Sequence, residues 1–355
     1  MGGKQKGFRV NKKKILVFVL PFLVFVGQSC TSCVASWTKL YKKRFSFTES
    51  LKNKEKKDLF FRKDFIEPFS QLVFSWNAFR PAKGCFSFFV QVRNARTGAW
   101  SKWCKMFDWS KQMQRSYFAR LQGDLSYVYV RLETGKKNVA DGFRIKISAV
   151  DGANLRSLRG FSVCASNFSK FKAEKITPDL LNLRSVYIRG VPKKSQMVLN
   201  HPRAEHMCSP TSCSMLVSFL NKKNIDPLCF AKNSFDRGLD TYGSWPFNAA
   251  HAFELCEGRK FFSVVRLDSF KTMHKQLSRG LPLVVSVRGA LKGAPKEYNK
   301  GHLLLVIGWD AKRKQVICHD SALSEDRKTL KRYDIKDFLA AWERSRRLAY
   351  WVDNA

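Results

Sequence analysis

The chain has 355 residues, of which 65 are Lys or Arg and 28 are Asp or Glu, leaving a formal net charge of +37. Hydrophobic residues at 45%, with 30 Phe, exclude a disordered chain, because burial on this scale offsets chain entropy, and the length suffices for two cores. So large a positive surplus attracts polyanions, anionic lipid or acidic envelope polymers, yet no zinc-finger spacing or RNA-binding aromatic signature accompanies it, which argues against sequence-specific nucleic-acid reading.

Residues 1–35 read as an export signal or membrane anchor. Lys4, Lys6, Arg9, Lys12, Lys13 and Lys14 form a basic leader to the apolar run Ile15 to Val26. That run is too short to span a bilayer comfortably, for which a helix needs roughly 20 apolar residues. Gly27 and Ser29 then give the small-x-small pattern of a cleaved signal peptide. Cys30 follows directly, so lipid attachment there and an uncleaved anchor stand as alternatives. An exported protein is expected: secreted, periplasmic or held at a membrane by its N-terminus.

Residues 45–170 alternate apolar with polar positions in short runs. LVFSW (Leu72 to Trp76), CFSFFVQVR (Cys85 to Arg93), YVYVRLE (Tyr127 to Glu133) and FRIKISAV (Phe143 to Val150) have the period of half-buried strands. RPAKG, NARTGAW and DGANLRS between them carry turn residues. An all-β sandwich is expected. Trp76, Trp100, Trp103 and Trp109 lie within it, as core aromatics or, less simply, as a sugar-stacking platform.

Residues 171–186 read as a linker and residues 187–355 as a second domain mixing helices with strands. CSPTSCSMLVSFL (Cys208 to Leu220) is helical in character, with Pro210 suited to the first turn. FKTMHKQLSRG (Phe270 to Gly280) closes on a glycine, as helices often do. LPLVVSVRG, GHLLLVIGWD and KQVICHD follow as strands.

Ten cysteines are present, and their one CxxC pair, Cys30 and Cys33, falls in the signal region, so a structural zinc site is not expected. Cys208 stands immediately before Ser-Pro-Thr-Ser, where the unpaired N-H groups of a helix start lower a thiol's pKa. A cysteine nucleophile also needs a base and a group that orients it. His302, opening HLLLVIGWD, and Asp320, ending the next strand, would meet if those strands are antiparallel neighbours. Gln196 is the nearest upstream amide for an oxyanion, but 208 minus 196 is twelve positions, so a loop through His201 and Pro202 has to bring it back. From local context alone Cys208 also reads as a packed thiol or half of a disulfide. His201 and His206 compete as the base, and strand alternation turns His319 away from Asp320. Cys213, Cys229, Cys256 and Cys318 read as structural.

The phrases VPKKSQM, HPRAEHMCSPTSCSM, YGSWPFNAA, GLPLVVSV and KGHLLLVIGW followed by HDSA resemble papain-like cysteine peptidases. The match is to the peptidase C-39-like group, related to bacteriocin-processing double-glycine leader peptidases. The resemblance implies an α+β papain-like domain preceded by the β-sandwich. It makes Cys208 the nucleophile, His302 the base and acid, Asp320 the orienting carboxylate and Gln196 the oxyanion donor. Tyr242, Trp245, Phe247 and Asn248 of YGSWPFNAA are candidates to line a cleft for a peptide or protein substrate, although an aromatic WPF turn reads equally well as structural. No metal or organic cofactor is implied. The same triad serves amidases and transglutaminases, and the non-enzymatic rival is a peptide- or cell-envelope-binding scaffold of the same fold.

Overall fold

The computed structural model describes residues 1–3, 36–120, 125–128, 130–135 and 139–354, so the expected export stretch and Cys30 lie outside the described residues. Ser36–Ala355 forms one compact unit.

Its first part runs β1 (Thr38–Arg44), α1 (Phe47–Lys52), β2 (Asp58–Lys63), β3 (Gln71–Ala78), β4 (Cys85–Asn94) and β5 (Cys104–Trp109). It continues through β6 (Gln114–Ser116), β7 (Ala119–Arg120), β8 (Leu125–Val128), β9 (Arg131–Thr134), β10 (Ala140–Val150) and β11 (Leu158–Ser166). These strands make two sheets, one ordered β1-β11-β3-β9-β8-β7 and the other β2-β10-β4-β5-β6. Alternation along the strands decides what they share: Leu72, Phe74 and Trp76 of β3 meet Phe86, Phe88 and Val90 of β4 in one apolar core. Trp76 stacks on Phe88 at 4.2 Å and meets Trp109 edge-on at 5.9 Å. Trp76 and Trp109 are therefore core residues, unavailable as sugar platforms.

The rest comprises α2 (Pro178–Leu181), β12 (Val186–Tyr187), α3 (Cys208–Asn221), α4 (Pro227–Ser234), α5 (Trp245–Leu255) and β13 (Lys260–Arg266). Then come α6 (Phe270–Ser278), β14 (Leu283–Gly289), β15 (Tyr298–Asp310), β16 (Gln315–His319), β17 (Leu330–Asp334), α7 (Ile335–Arg344) and β18 (Leu348–Asn354). A third sheet has the order β13-β18-β14-β15-β16-β17, with β12 added alongside β15. Helix α3 lies against β15 and β14 and is buried over most of its length. Small polar residues permit that close approach: Ser212 Oγ donates to the Leu303 carbonyl at 3.0 Å, and the Ser209 and Tyr350 hydroxyls meet at 2.9 Å. The protein is thus of mixed α/β class, with several sheets.

Two sequence expectations change. Strand β3 is buried on both faces, not one. Its second face, Val73, Ser75 and Asn77, covers the free edge of β13: Asn77 exchanges hydrogen bonds with the backbone of Phe262 at 2.8 and 2.9 Å, and Ser75 Oγ accepts from Val264 N-H at 3.0 Å. Side chains here take the place of a neighbouring strand and protect an edge that would otherwise invite pairing. Residues 171–186 are also tied down, since Leu183 O accepts from Trp309 Nε1 at 3.0 Å and Ser185 Oγ from Ala311 N-H at 2.9 Å.

Candidate active site

Cys208 is the first residue of α3, with Pro210 in the first turn, as the sequence pattern indicates. Burial alone raises the pKa of its thiol. Hydrogen bonding to His302, the charge of that imidazole and the backbone N-H groups of Leu303 and Ser209 outweigh burial, so the net shift is downward. Helix start and imidazole together favour the thiolate form.

His302 sits inside β15, not at its beginning. Gly301, at φ +89°, adopts a conformation open to glycine, and the ladder with β14 slips between Val287 and Gly289. The irregularity falls directly before His302. Strands β15 and β16 pair antiparallel, and His302 Nε2 lies 2.8 Å from Asp320 Oδ1. Burial opposes charge on this imidazole, but the Asp320 carboxylate and the Cys208 sulfur hold it in the charged form, with its pKa well above the ordinary value. It is 4% exposed and Asp320 0%, so little water screens the pair.

The carboxylate is closely surrounded. Oδ1 also accepts from Ala322 N-H at 3.0 Å, and Oδ2 accepts from the hydroxyls of Tyr298 and Tyr333, each at 2.6 Å. Burial raises the Asp320 pKa, while His302 and the two tyrosines more than reverse it, to about 2. Tyr298 further stacks flat on the His302 ring, centroids 4.1 Å apart and planes at 19°. One tyrosine therefore fixes both the carboxylate and the ring it orients.

Gln196 is tied to two segments that flank the site. Its Nε2 donates to the Glu205 carbonyl at 2.7 Å, three residues before Cys208, and its Oε1 accepts from Ser321 Oγ at 2.8 Å, next to Asp320. His201 and His206 do not join Asp320. His201 accepts from Arg203 N-H and meets Tyr242 Oη at 3.3 Å, and His206 is exposed beside Glu205. His319 turns away, its Nδ1 2.9 Å from the Pro192 carbonyl, and burial lowers its pKa to about 4.

The cleft residues divide. Tyr242 packs with Met207, the neighbour of Cys208, and stays beside the site. Trp245 packs half-buried against both large cores. Phe247 and Asn248 are corrections: both are fully buried, so neither lines a cleft. Phe247 leaves the site for the first-part core, 5.6 Å from Trp76 and 5.7 Å from Phe107, and Asn248 Nδ2 ties the carbonyls of Tyr242 and Ser244. Helix α5 presents one face to each part of the molecule, so an apolar residue of YGSWPFNAA has two cores to choose between.

Cys213 and Cys318 are buried thiols whose pKa values burial pushes up, and burial takes Cys256 to about 12. Cys85, Cys164, Cys208, Cys213, Cys229, Cys256 and Cys318 are free thiols. Among the described residues no group of three His, Cys, Asp or Glu side chains is arranged to hold a metal ion.

A helix-start cysteine facing a strand-borne histidine, itself held by a carboxylate on the next strand, is the arrangement of papain-like cysteine peptidases. Residues 188–350 match the Peptidase_C39 like family, which supports a papain-like, C39-like reading of this region. Among solved structures the chain is similar to xylellain, a cysteine protease from Xylella fastidiosa, at 12% identity and a TM-score of 0.32, over 51% of this chain and 90% of that one. No curated protein matches it in sequence.

Proposed function

We propose that the protein is a cysteine peptidase, or a related amide hydrolase, acting through an acyl-enzyme on a peptide or protein substrate. The observation that carries this reading is the Cys208, His302 and Asp320 constellation, with the thiol's pKa lowered and the imidazole's raised. The Cys208 thiolate attacks the carbonyl carbon and forms a C–S bond. The oxyanion is held by the Cys208 backbone N-H and by an N-H of Gln196. His302 passes its proton to the leaving nitrogen as the C–N bond breaks. It then takes a proton from water, whose oxygen attacks the thioester, releasing the acid and restoring the thiolate.

The two-sheet region belongs to the same proposal as a β-sandwich accessory domain at residues 45–170, joined to a peptidase domain at 187–355. Export directed by the basic and apolar residues 4–26 completes it, and a mature N-terminus starting at Cys30 checks that part. The activity test is mass spectrometry of an unfolded protein incubated with wild type or Cys208→Ala. New peptide termini made only by wild type support hydrolysis, and identical digests refute it. New Gln–Lys crosslinks in place of termini assign the triad to acyl transfer.

A further inference from the structure

Among the described residues, the outer face of the β2-β10-β4-β5-β6 sheet has a composition that departs from ordinary sheet surfaces. Register places Phe60, Lys146, Phe89 and Lys105 opposite one another across four strands, aromatic alternating with cation. Two positions along, Arg62 stands directly opposite Arg144. Like charges directly opposite destabilise a sheet, so this pair works against the fold that carries it.

The cations are held by rings. Arg144 lies 3.8 Å from the Trp100 ring centre and Arg62 5.7 Å from it, while Lys146 lies 4.5 Å from Phe89 and 5.4 Å from Trp103. Arg62, Lys105 and Arg93 also pair with Asp64, Asp108 and Asp141. Arg144 and Lys146 have no ion pair among the described residues, and Arg144 Nε is buried without a hydrogen-bond partner. The acid of this face outside those pairs is Asp58, at the start of β2.

Apolar rings project beside the cations. Phe60 is 63% exposed, Trp103 37% and Phe65 78%. Phe65 follows β2 at φ +52°, a left-handed conformation that is strained for a bulky side chain, with the Arg93 guanidinium 4.4 Å from its ring. Strain at a residue that is then left in water has no folding benefit.

We infer that this face docks on an anionic lipid bilayer. Its cations meet headgroup phosphates, and Phe60, Phe65 and Trp103 enter the interfacial layer, as aromatic rings do at membrane boundaries. Charge complementarity selects an anionic partner. Phenylalanine tips, which have no hydrogen-bonding group, select a lipid interface over a polysaccharide. The proposal is independent of the peptidase reading, since none of these residues belongs to the Cys208 site.

The test is co-sedimentation of residues 36–355, the compact unit without the apolar leader, with vesicles of phosphatidylcholine alone or mixed with phosphatidylglycerol. Binding to the anionic vesicles only is expected. Arg144→Gln with Lys146→Gln lowers the partition coefficient by roughly 10- to 30-fold. Phe60→Ser with Phe65→Ser lowers it at high salt as well, where charge is screened. Lys232→Gln with Lys271→Gln removes the same charge from exposed positions on helices α4 and α6 and leaves binding unchanged. Near-ultraviolet circular dichroism verifies that each variant is folded. No binding to anionic vesicles overturns the proposal. So does equal weakening by both charge pairs, which would assign binding to the overall positive charge. Tight binding of a single-stranded oligonucleotide that Phe60→Ser with Phe65→Ser abolishes, without vesicle binding, overturns it in favour of a nucleic-acid platform.

Discussion

The molecule contains two buried histidines beside carboxylates, and their environments drive them to opposite charge. His302 has Asp320 at 2.8 Å and is held protonated. His251 has Glu254 at 3.5 Å, but Glu254 also pairs with Arg80, whose guanidinium donates to His251 Nδ1 at 3.3 Å. Burial, reinforced by the Arg80 charge, lowers the His251 pKa to about 3. A carboxylate charges a neighbouring imidazole only if its own charge is not already taken up by a cation. Asp320 keeps that charge because its other partners, Tyr298, Tyr333 and Ala322 N-H, are neutral donors.

Removing His302 tests the comparison most severely. In His302→Ala the thiol loses its counter-charge, so alkylation of Cys208 in mild acid falls by about 10³-fold, the thiolate fraction expected of an ordinary thiol there. Amide hydrolysis falls by a similar factor or more. Asp320→Asn leaves the imidazole without an anion, as Arg80 in effect does for His251. Its labelling rate in mild acid drops by about 10²-fold, and the remainder rises with pH as it does for an ordinary thiol.

Tyr298→Phe with Tyr333→Phe sharpens the comparison. Each change removes a hydrogen bond to a charged group, worth roughly 1.5–3 kcal/mol when intact. The Asp320 pKa then rises from about 2, and the acid limb of the alkylation rate against pH moves upward, with a loss of roughly tenfold at its former midpoint. Stability linked to Asp320, present above the ordinary carboxylate pKa and lost as pH falls through about 2, is lost at higher pH in this variant.

The smallest effect is at His251. Its folded pKa lies below the unfolded value, so the unfolded chain takes up a proton first as pH falls below about 6.5, and stability declines toward about 3. His251→Gln removes that slope, which amounts to about 2 kcal/mol between pH 7 and 5. Thermal melts at the two pH values check it, and Cys208 labelling stays at the wild-type rate.

Much of the site was legible because its parts have local signatures: a cysteine before a Ser-Pro-Thr-Ser helix start, a histidine after Gly301 and an aspartate ending the next strand. Gln196 was legible as an amide, but the twelve-position interval alone does not reveal its partners, the Glu205 carbonyl and Ser321 Oγ. Tyr298 and Tyr333 were not. They reach Asp320 from β15 and β17, and no periodicity in either strand reveals which hydroxyls converge on a carboxylate beyond the end of a third. Phe247 misled for a related reason, since an aromatic on α5 fits a cleft wall and a core equally well until the second core is in place. Strand β3 was half legible: Leu72, Phe74 and Trp76 marked one buried face, but Ser75 and Asn77 looked solvated because the edge they cover lies near residue 264.

The most direct measurement is brief alkylation of residues 36–355 with iodoacetamide at about pH 5.5, followed by peptide mass spectrometry of wild type and His302→Ala. Cys229 is the internal standard, because it is the exposed cysteine of the described set, whereas Cys208 is half-buried. The account predicts that Cys208 labels faster than Cys229 in wild type and slower in His302→Ala. Labelling that follows exposure, with Cys229 ahead in both proteins, would contradict an activated Cys208–His302 pair and leave the fold as a scaffold.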